Sequence, residues 1–186
     1  YKGVRRLWGP VGPTADPRAM ATFYYNKDNT EIYDEYGKHR TVYRFDRNNN
    51  RLTAVEQYSC SPVGARPGDL YFKEEYEWGN HEQPTDVEGN ILSKVIRDSS
   101  GTARSFTSYT YDKSGNVLSE TLWGNLSGHC SSPLVIEKPL LPNGRWHPRD
   151  NGVESYTVRY TYSDDGRNVM TSKSEDNGLS IEYRYD

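Results

Sequence analysis

An Asp, two spacer residues and a Gly recur along this chain, at Asp34 to Gly37, Asp86 to Gly89, Asp98 to Gly101 and Asp112 to Gly115. Two near copies extend the series. Asp46 to Asn49 has Asn in the Gly place, and Ser163 to Gly166 has Ser in the Asp place. An aromatic residue stands directly before four of the six: Tyr33, Phe45, Tyr111 and Tyr162. The pattern is turn chemistry. Asp or Ser at the first position accepts a hydrogen bond from a backbone N–H two residues on. The fourth position, in a type I turn followed by a bulge, needs positive φ. Gly takes that conformation at no steric cost, and Asn tolerates it next best.

Spacing adds the strands. Turns begin at 34 and 46, and again at 86 and 98, twelve residues apart in each pair. Removing four turn residues leaves strands of about eight residues, or roughly 26 Å of extended chain. Residues 86–93 align with 112–119 without a gap, and in the same register Leu52 and Val169 stand where Leu92 and Leu118 do. Between turns the chain alternates. Tyr109-Thr110-Tyr111, Tyr160-Thr161-Tyr162, Tyr183-Arg184-Tyr185 and Tyr43-Arg44-Phe45 each put two rings on one face and a polar residue on the other. Thr, Tyr, Val and Ile dominate, as strands prefer, and no stretch keeps a helical period. The reading is an all-β antiparallel hairpin meander of about ten to twelve strands, a single segment over residues 1–186. Pro- and Gly-bearing loops interrupt it at about 9–17, 60–68 and 128–152. The third is long enough for a functional loop, or for a plain insertion between hairpins.

The supply of core residues is thin: 33% of the chain is hydrophobic, while an ordinary domain with Gly counted is about 45–50% apolar. Sixteen Tyr against four Phe and four Trp partly fill the gap. Tyr combines a large apolar ring with a hydroxyl that stays wet, which suits a broad sheet with a half-covered face. A net charge of −3, spread evenly, offers no basic footprint for nucleic acid. No run approaches the ~18 apolar residues of a membrane span, and the N-terminus lacks the pattern of a signal peptide.

With these residues in view, Tyr-x-Tyr-Asp-x-x-Gly-Asn at Tyr109 to Asn116 resembles the YD repeat of the RHS proteins. Tyr43-Arg44-Phe45-Asp46 followed by Arg51-Leu52-Thr53 is similar to that family's longer form, and Tyr33-Asp34 and Tyr162-Ser163 match in part. The resemblance runs from about residue 20 to the last residue. It implies a β-strip that winds into a spiral, barrel-like shell. In bacterial polymorphic toxins, toxin-complex components and teneurins such a shell surrounds other polypeptide, and in the bacterial cases it sequesters a C-terminal toxin. The expected partners are then the remaining RHS repeats of the same chain and an enclosed toxin or other cargo. The expected setting is a larger bacterial protein, secreted or at the cell surface, of which this chain is a fragment. The family's Asp-Pro-x-Gly-Leu self-cleavage sequence does not occur, since Asp16-Pro17-Arg18-Ala19 shares only the first two residues.

Reactive chemistry finds little support, and no enzyme activity, cofactor or metal is expected. His129-Cys130 pairs an imidazole with a thiol in sequence, but neighbours in an extended chain point apart. His39, His81, His129 and His147 are scattered without ligand spacing. Asp46-x-Asn48-x-Asn50 has the opening of a calcium loop, yet Arg51 and Gln57 stand where Gly and Glu are required. Glu74, Glu75 and Glu77, with Tyr71, Tyr76 and Trp78, fit a sugar groove or, more simply, a strand with a solvated face. Cys60 and Cys130 fit a disulfide or, more simply, two buried thiols. Asn125-Leu126-Ser127 has the glycosylation pattern, which matters in a secretory host. The second functional reading is a cell-surface adhesion module that binds glycan or protein through Tyr- and Trp-rich strands. Unpaired strand edges lead to an expectation of self-association.

Overall fold

The computed structural model describes residues 3–8, 19–34, 39–59, 69–79, 88–140 and 144–185. Gly37, Asp86, Cys60, His81 and the loops at about 9–17 and 60–68 lie outside them. Among the described residues there is no helix, and so none long and apolar enough to cross a membrane. The protein is an all-β antiparallel hairpin meander.

The chain divides into two compact units, Tyr1–Glu75 with Arg97–Thr102, and Tyr76–Ile96 with Ala103–Asp186. In the first, β1 (Gly3–Trp8), β2 (Ala19–Tyr25), β3 (Asn29–Asp34), β4 (His39–Phe45), β5 (Leu52–Ser59) and the first part of β6 (Leu70–Trp78) pair antiparallel in chain order. The second contains the end of β6, most of β7 (Ile91–Asp98), β8 (Ala103–Tyr111) and β9 (Val117–Gly124). A small separate ribbon follows, β10 (Ile136–Glu137) against β11 (His147–Pro148). The meander then resumes, with β12 (Glu154–Tyr162) on β9, β13 (Met170–Glu175) on β12 and β14 (Ser180–Glu182) on β13.

The two units bury different things. In the second, Val95, Ala103, Phe106 and Leu134 form a core, with Trp123, Ile136, Trp146 and Val153 packed against it. Leu134, Ile136, Trp146 and Val153 all come from the chain between β9 and β12. The expected loop at about 128–152 is therefore the cover of this core. It supplies the apolar layer that β7, β8 and β9 cannot build alone. In the first unit Val42, Ala54 and Val55 are buried together with a carboxylate, Glu56, which is 6% exposed. Among the described residues no Tyr is fully buried. Most of its described rings lie half-covered on the sheet faces, with Tyr71 and Tyr185 exposed, as its wet hydroxyl allows.

Candidate functional surface

The repeated corners come first, because they fix which side chains share a face. Gly101 and Gly115 both have φ of 84°. At Asp112 the carbonyl accepts Gly115 N–H at 3.1 Å, the N–H donates to Asn116 O at 3.0 Å, and Oδ1 accepts Ser114 N–H at 2.8 Å and Asn116 N–H at 2.9 Å. Asp98 repeats this with Gly101, Thr102 and Ser100. Gly89 and Gly166 also have positive φ, 82° and 81°. The Asp46 corner differs. Asn50 carries the positive φ of 57°, and Asn49 does not take the Gly conformation. The loop is one residue longer, closed by Asp46 N–H to Arg51 O at 2.8 Å, and Asn49 Oδ1 instead accepts Arg51 N–H at 2.9 Å. At Ser163 the loop is longer again. Ser163 N–H reaches Val169 O at 2.8 Å, its Oγ accepts Val169 N–H at 3.2 Å, and Asn168 joins Gly166 at positive φ.

These lengths correct the register that set Leu52 and Val169 level with Leu118. Phe45 pairs with Leu52, Tyr111 with Val117 and Tyr162 with Met170. One residue later each returning strand carries a bulge, at Thr53, Leu118 and Thr171. The equivalent positions are thus Thr53, Leu118 and Thr171, and the loops before them absorb the extra residues. Tyr33, the fourth aromatic, pairs with Arg40, and Asp34 ends β3 beside Ala21. A further corner escaped the pattern: Gly178, φ 87°, donates to Glu175 O at 2.9 Å, and Glu175 N–H donates to Leu179 O at 2.9 Å. Ser174 precedes it, no aromatic does, and the register passes from Ser174–Ser180 to Lys173–Ile181 without a bulge. The bulge accompanies the aromatic at Phe45, Tyr111 and Tyr162, while Tyr33 pairs in step with Arg40.

Register then sorts the faces. In the first unit Glu31 and Tyr33 on β3, Arg40, Val42 and Arg44 on β4, Glu56 and Tyr58 on β5, and Lys73 and Glu75 on β6 share one side. They form a charge ladder. Arg44 Nε and Nη2 donate side-on to the two Glu56 oxygens at 2.9 and 2.8 Å, and Tyr58 Oη donates to Glu56 at 2.7 Å. Lys73 Nζ stands 3.7 Å from Glu56 and 3.4 Å from Glu75, and Arg97 Nε donates to Glu75 at 2.6 Å. Arg40 stacks over the Tyr58 ring at 4.2 Å. Burial alone pushes the Glu56 carboxyl up, but the Arg44 guanidinium, the Tyr58 hydroxyl and Lys73 together bring it below its ordinary value.

In the second unit Tyr109 on β8, Glu120 and Leu122 on β9, Tyr156, Val158 and Tyr160 on β12, and Lys173 and Glu175 on β13 share a side. Tyr111 joins them, its ring 6.5 Å from that of Tyr109. Tyr156 Oη and Lys173 Nζ both donate to Glu175. Burial, with the Glu120 charge second, pushes Tyr109 up to about 12. The opposite side carries hydroxyl pairs, Thr110 with Ser119, Thr121 with Thr157 and Thr161 with Ser172, at 2.6, 3.1 and 2.8 Å. Tyrosines on one side and hydroxyls on the other follow the alternation read from the sequence, with Phe106 and Trp123 at one end of the hydroxyl side.

Glu77 departs from the expected solvated face. It is half-buried, accepting Ser93 Oγ–H at 2.6 Å and, from the insertion, Trp146 N–H at 2.9 Å. Burial raises its carboxyl against the pull of these donors and of Arg145 and Lys138. Cys130 is a half-buried free thiol whose Sγ faces Gly152 O at 3.8 Å, while the His129 backbone N–H is held by Ser127 Oγ at 3.1 Å. Asn125, in the glycosylation pattern, is exposed and accepts Cys130 N–H at 3.0 Å through Oδ1. Among the described residues no three His, Cys, Asp or Glu are grouped so as to hold a metal ion. No family model matches the chain, and no curated protein matches it.

Proposed function

We propose that this chain is a wall segment of an RHS-type shell, part of a larger secreted or cell-surface protein, and that its work is to enclose polypeptide without reacting with it. The observation that carries the reading is the corner repeated along the meander: an aromatic residue, a short acid- or Ser-led turn with positive φ, and a bulge on the return, at Phe45, Tyr111 and Tyr162. A unit of that kind propagates by addition of further hairpins. In the second unit it groups Tyr109, Tyr111, Tyr156 and Tyr160 on one side, where they offer large contact areas at little entropic cost. Confinement follows from such a surface: a partly folded cargo meets tyrosines and satisfied charges.

A second reading, glycan or protein recognition, draws on the grouping of Tyr109, Tyr156, Tyr160, Glu120 and Glu175 on one side of the second unit. Immobilised chain exposed in parallel to a glycan array and to its own full-length protein separates the two. The wall reading expects retention of the full-length protein and of no defined sugar. Tight, selective capture of one sugar overturns it in favour of recognition.

A further inference from the structure

In the second unit β8–β9, β12–β13 and β13–β14 are each joined by a corner, and a corner fixes the register of the strands it joins. β9 and β12 pair from Gly124–Glu154 to Ser119–Arg159, yet residues 125–153 lie between them, so no corner sets that register. Alternation does not set it either. A slip of one residue turns rings and hydroxyls to the wrong sides, but a slip of two restores both sides. Thr121 then faces Ser155 or Arg159 in place of Thr157, and the sheet keeps its two faces.

The observed pairing is distinguished at its two ends. At one, the corners exchange side-chain amides: Asn116 Nδ2 donates to Asn168 Oδ1 at 2.5 Å, and Asn168 Nδ2 donates to Asn116 Oδ1 at 3.1 Å. Asn116 Nδ2 also donates to Asp112 Oδ2 at 2.8 Å, so its amide is already oriented by its own corner. Asn168 is the second positive-φ residue of the longer Ser163 loop, and the exchange gives that length a purpose: it carries an amide back to the neighbouring corner. At the other end the Glu154 carboxylate accepts Leu126 N–H at 2.7 Å, Ser127 N–H at 2.9 Å and Ser127 Oγ–H at 2.6 Å. A two-residue slip displaces each end by about 7 Å, beyond the reach of either tie.

We propose that β9 and β12 meet at a seam whose register is set by these two ties, Asn168 on Asn116 and Glu154 on Leu126 and Ser127. The proposal stands independently of the wall reading. Thr157 N–H donates to Asp176 Oδ2 at 2.8 Å and its carbonyl accepts Asp176 N–H at 3.1 Å, so Thr157 faces Thr121 as a non-hydrogen-bonded pair, the kind in which the two backbones lie closest. Nuclear Overhauser contacts between Hα atoms of the whole chain therefore read the register directly. Asn168→Gly keeps the positive φ and removes the amide, and Glu154→Ala removes the clamp. With both changes the Thr121–Thr157 contact is expected to weaken and a contact from Thr121 to Ser155 or Arg159 to appear, while the corner-set Thr107–Leu122 contact of β8 and β9 persists. An unchanged Thr121–Thr157 contact with no slipped one assigns the register to the packing of Leu134 and Val153 and overturns the proposal. Loss of the Thr107–Leu122 contact as well also overturns it, since the ties then support the whole unit and not this seam.

Discussion

Glu56 and Glu77 are two strand carboxylates that the same meander treats in opposite ways. In the first unit Glu56 is nearly inaccessible yet surrounded by donors, a side-on guanidinium, a phenol and an ammonium. In the second, Glu77 lies beneath an apolar cover with two neutral donors in contact. The first unit covers its sheet with the stems of long charged side chains, which bury apolar length while neutralising one another. The second covers its sheet with an inserted segment of apolar residues. A hairpin repeat poor in Leu, Ile and Phe thus has two routes to a dry interior, and the pH response tells them apart.

The largest expected effect falls on the apolar route. Phe106→Ala empties the centre of the second unit, where the ring is 0% exposed, and is expected to cost about 3–5 kcal/mol in urea unfolding. A loss below about 1 kcal/mol would mean that the insertion collapses into the gap and that the cover is not a packed layer. Next comes Arg44→Met, which leaves Glu56 with the Tyr58 hydroxyl and the more distant Lys73. Arg44 is 45% exposed, so water screens part of the loss, and about 1–3 kcal/mol is expected. The double change Arg44→Met with Glu56→Met is expected to recover much of it, since an apolar pair replaces a buried charge.

Acid sharpens the contrast. The Glu56 carboxyl is depressed in the folded protein, so its contribution is present above the ordinary value of 4.5 and is lost as pH falls through the lower folded value. The Glu77 carboxyl is raised, so its contribution is present below 4.5 and is lost as pH rises through the higher folded value. Thermal melts of Glu56→Gln and Glu77→Gln across that range are expected to remove slopes of opposite sign. Smaller still, Gly115→Ala forces a side chain into φ of 84° with only Asn90 Nδ2 nearby, at 3.8 Å, so backbone strain alone sets a cost of about 1–2 kcal/mol. Gly115→Asn is expected to cost less, and Asp112→Ala, which removes the cap at an exposed corner, least of all.

Much of this was legible in the sequence, because corners are local. Asp98, Asp112, Gly101 and Gly115 behave as turn chemistry requires, and Tyr109 and Tyr111 share a side as alternation requires. Loop length was less legible: three consecutive asparagines, Asn48 to Asn50, offer more than one residue able to take positive φ, and the closing bond to Arg51 selects the last. The Gly178 corner had a signal, the Asn177-Gly178 dipeptide, but its leading residue is Glu175, whose longer side chain serves Tyr156 and Lys173 instead of capping the turn. The Glu77 site had no local signal at all. Its partner, Trp146, lies 69 residues further along, inside a segment whose prolines read only as loop.

The account rests on loops that vary and corners that do not. Two single-residue deletions near one corner test this most directly. Removing Asn50 leaves Asn49 to take the positive φ and converts the Asp46 loop to the Asp112 form, so the account predicts a folded chain with nearly unchanged melting and amide spectra. Removing Thr53 takes out the bulge while leaving Phe45 opposite Leu52 and Arg44 opposite Ala54, so Glu56 keeps its side but the twist of the corner is lost, and the account predicts a clear fall in melting temperature with the register kept. Equal tolerance of both deletions, or damage from the Asn50 deletion alone, would contradict it.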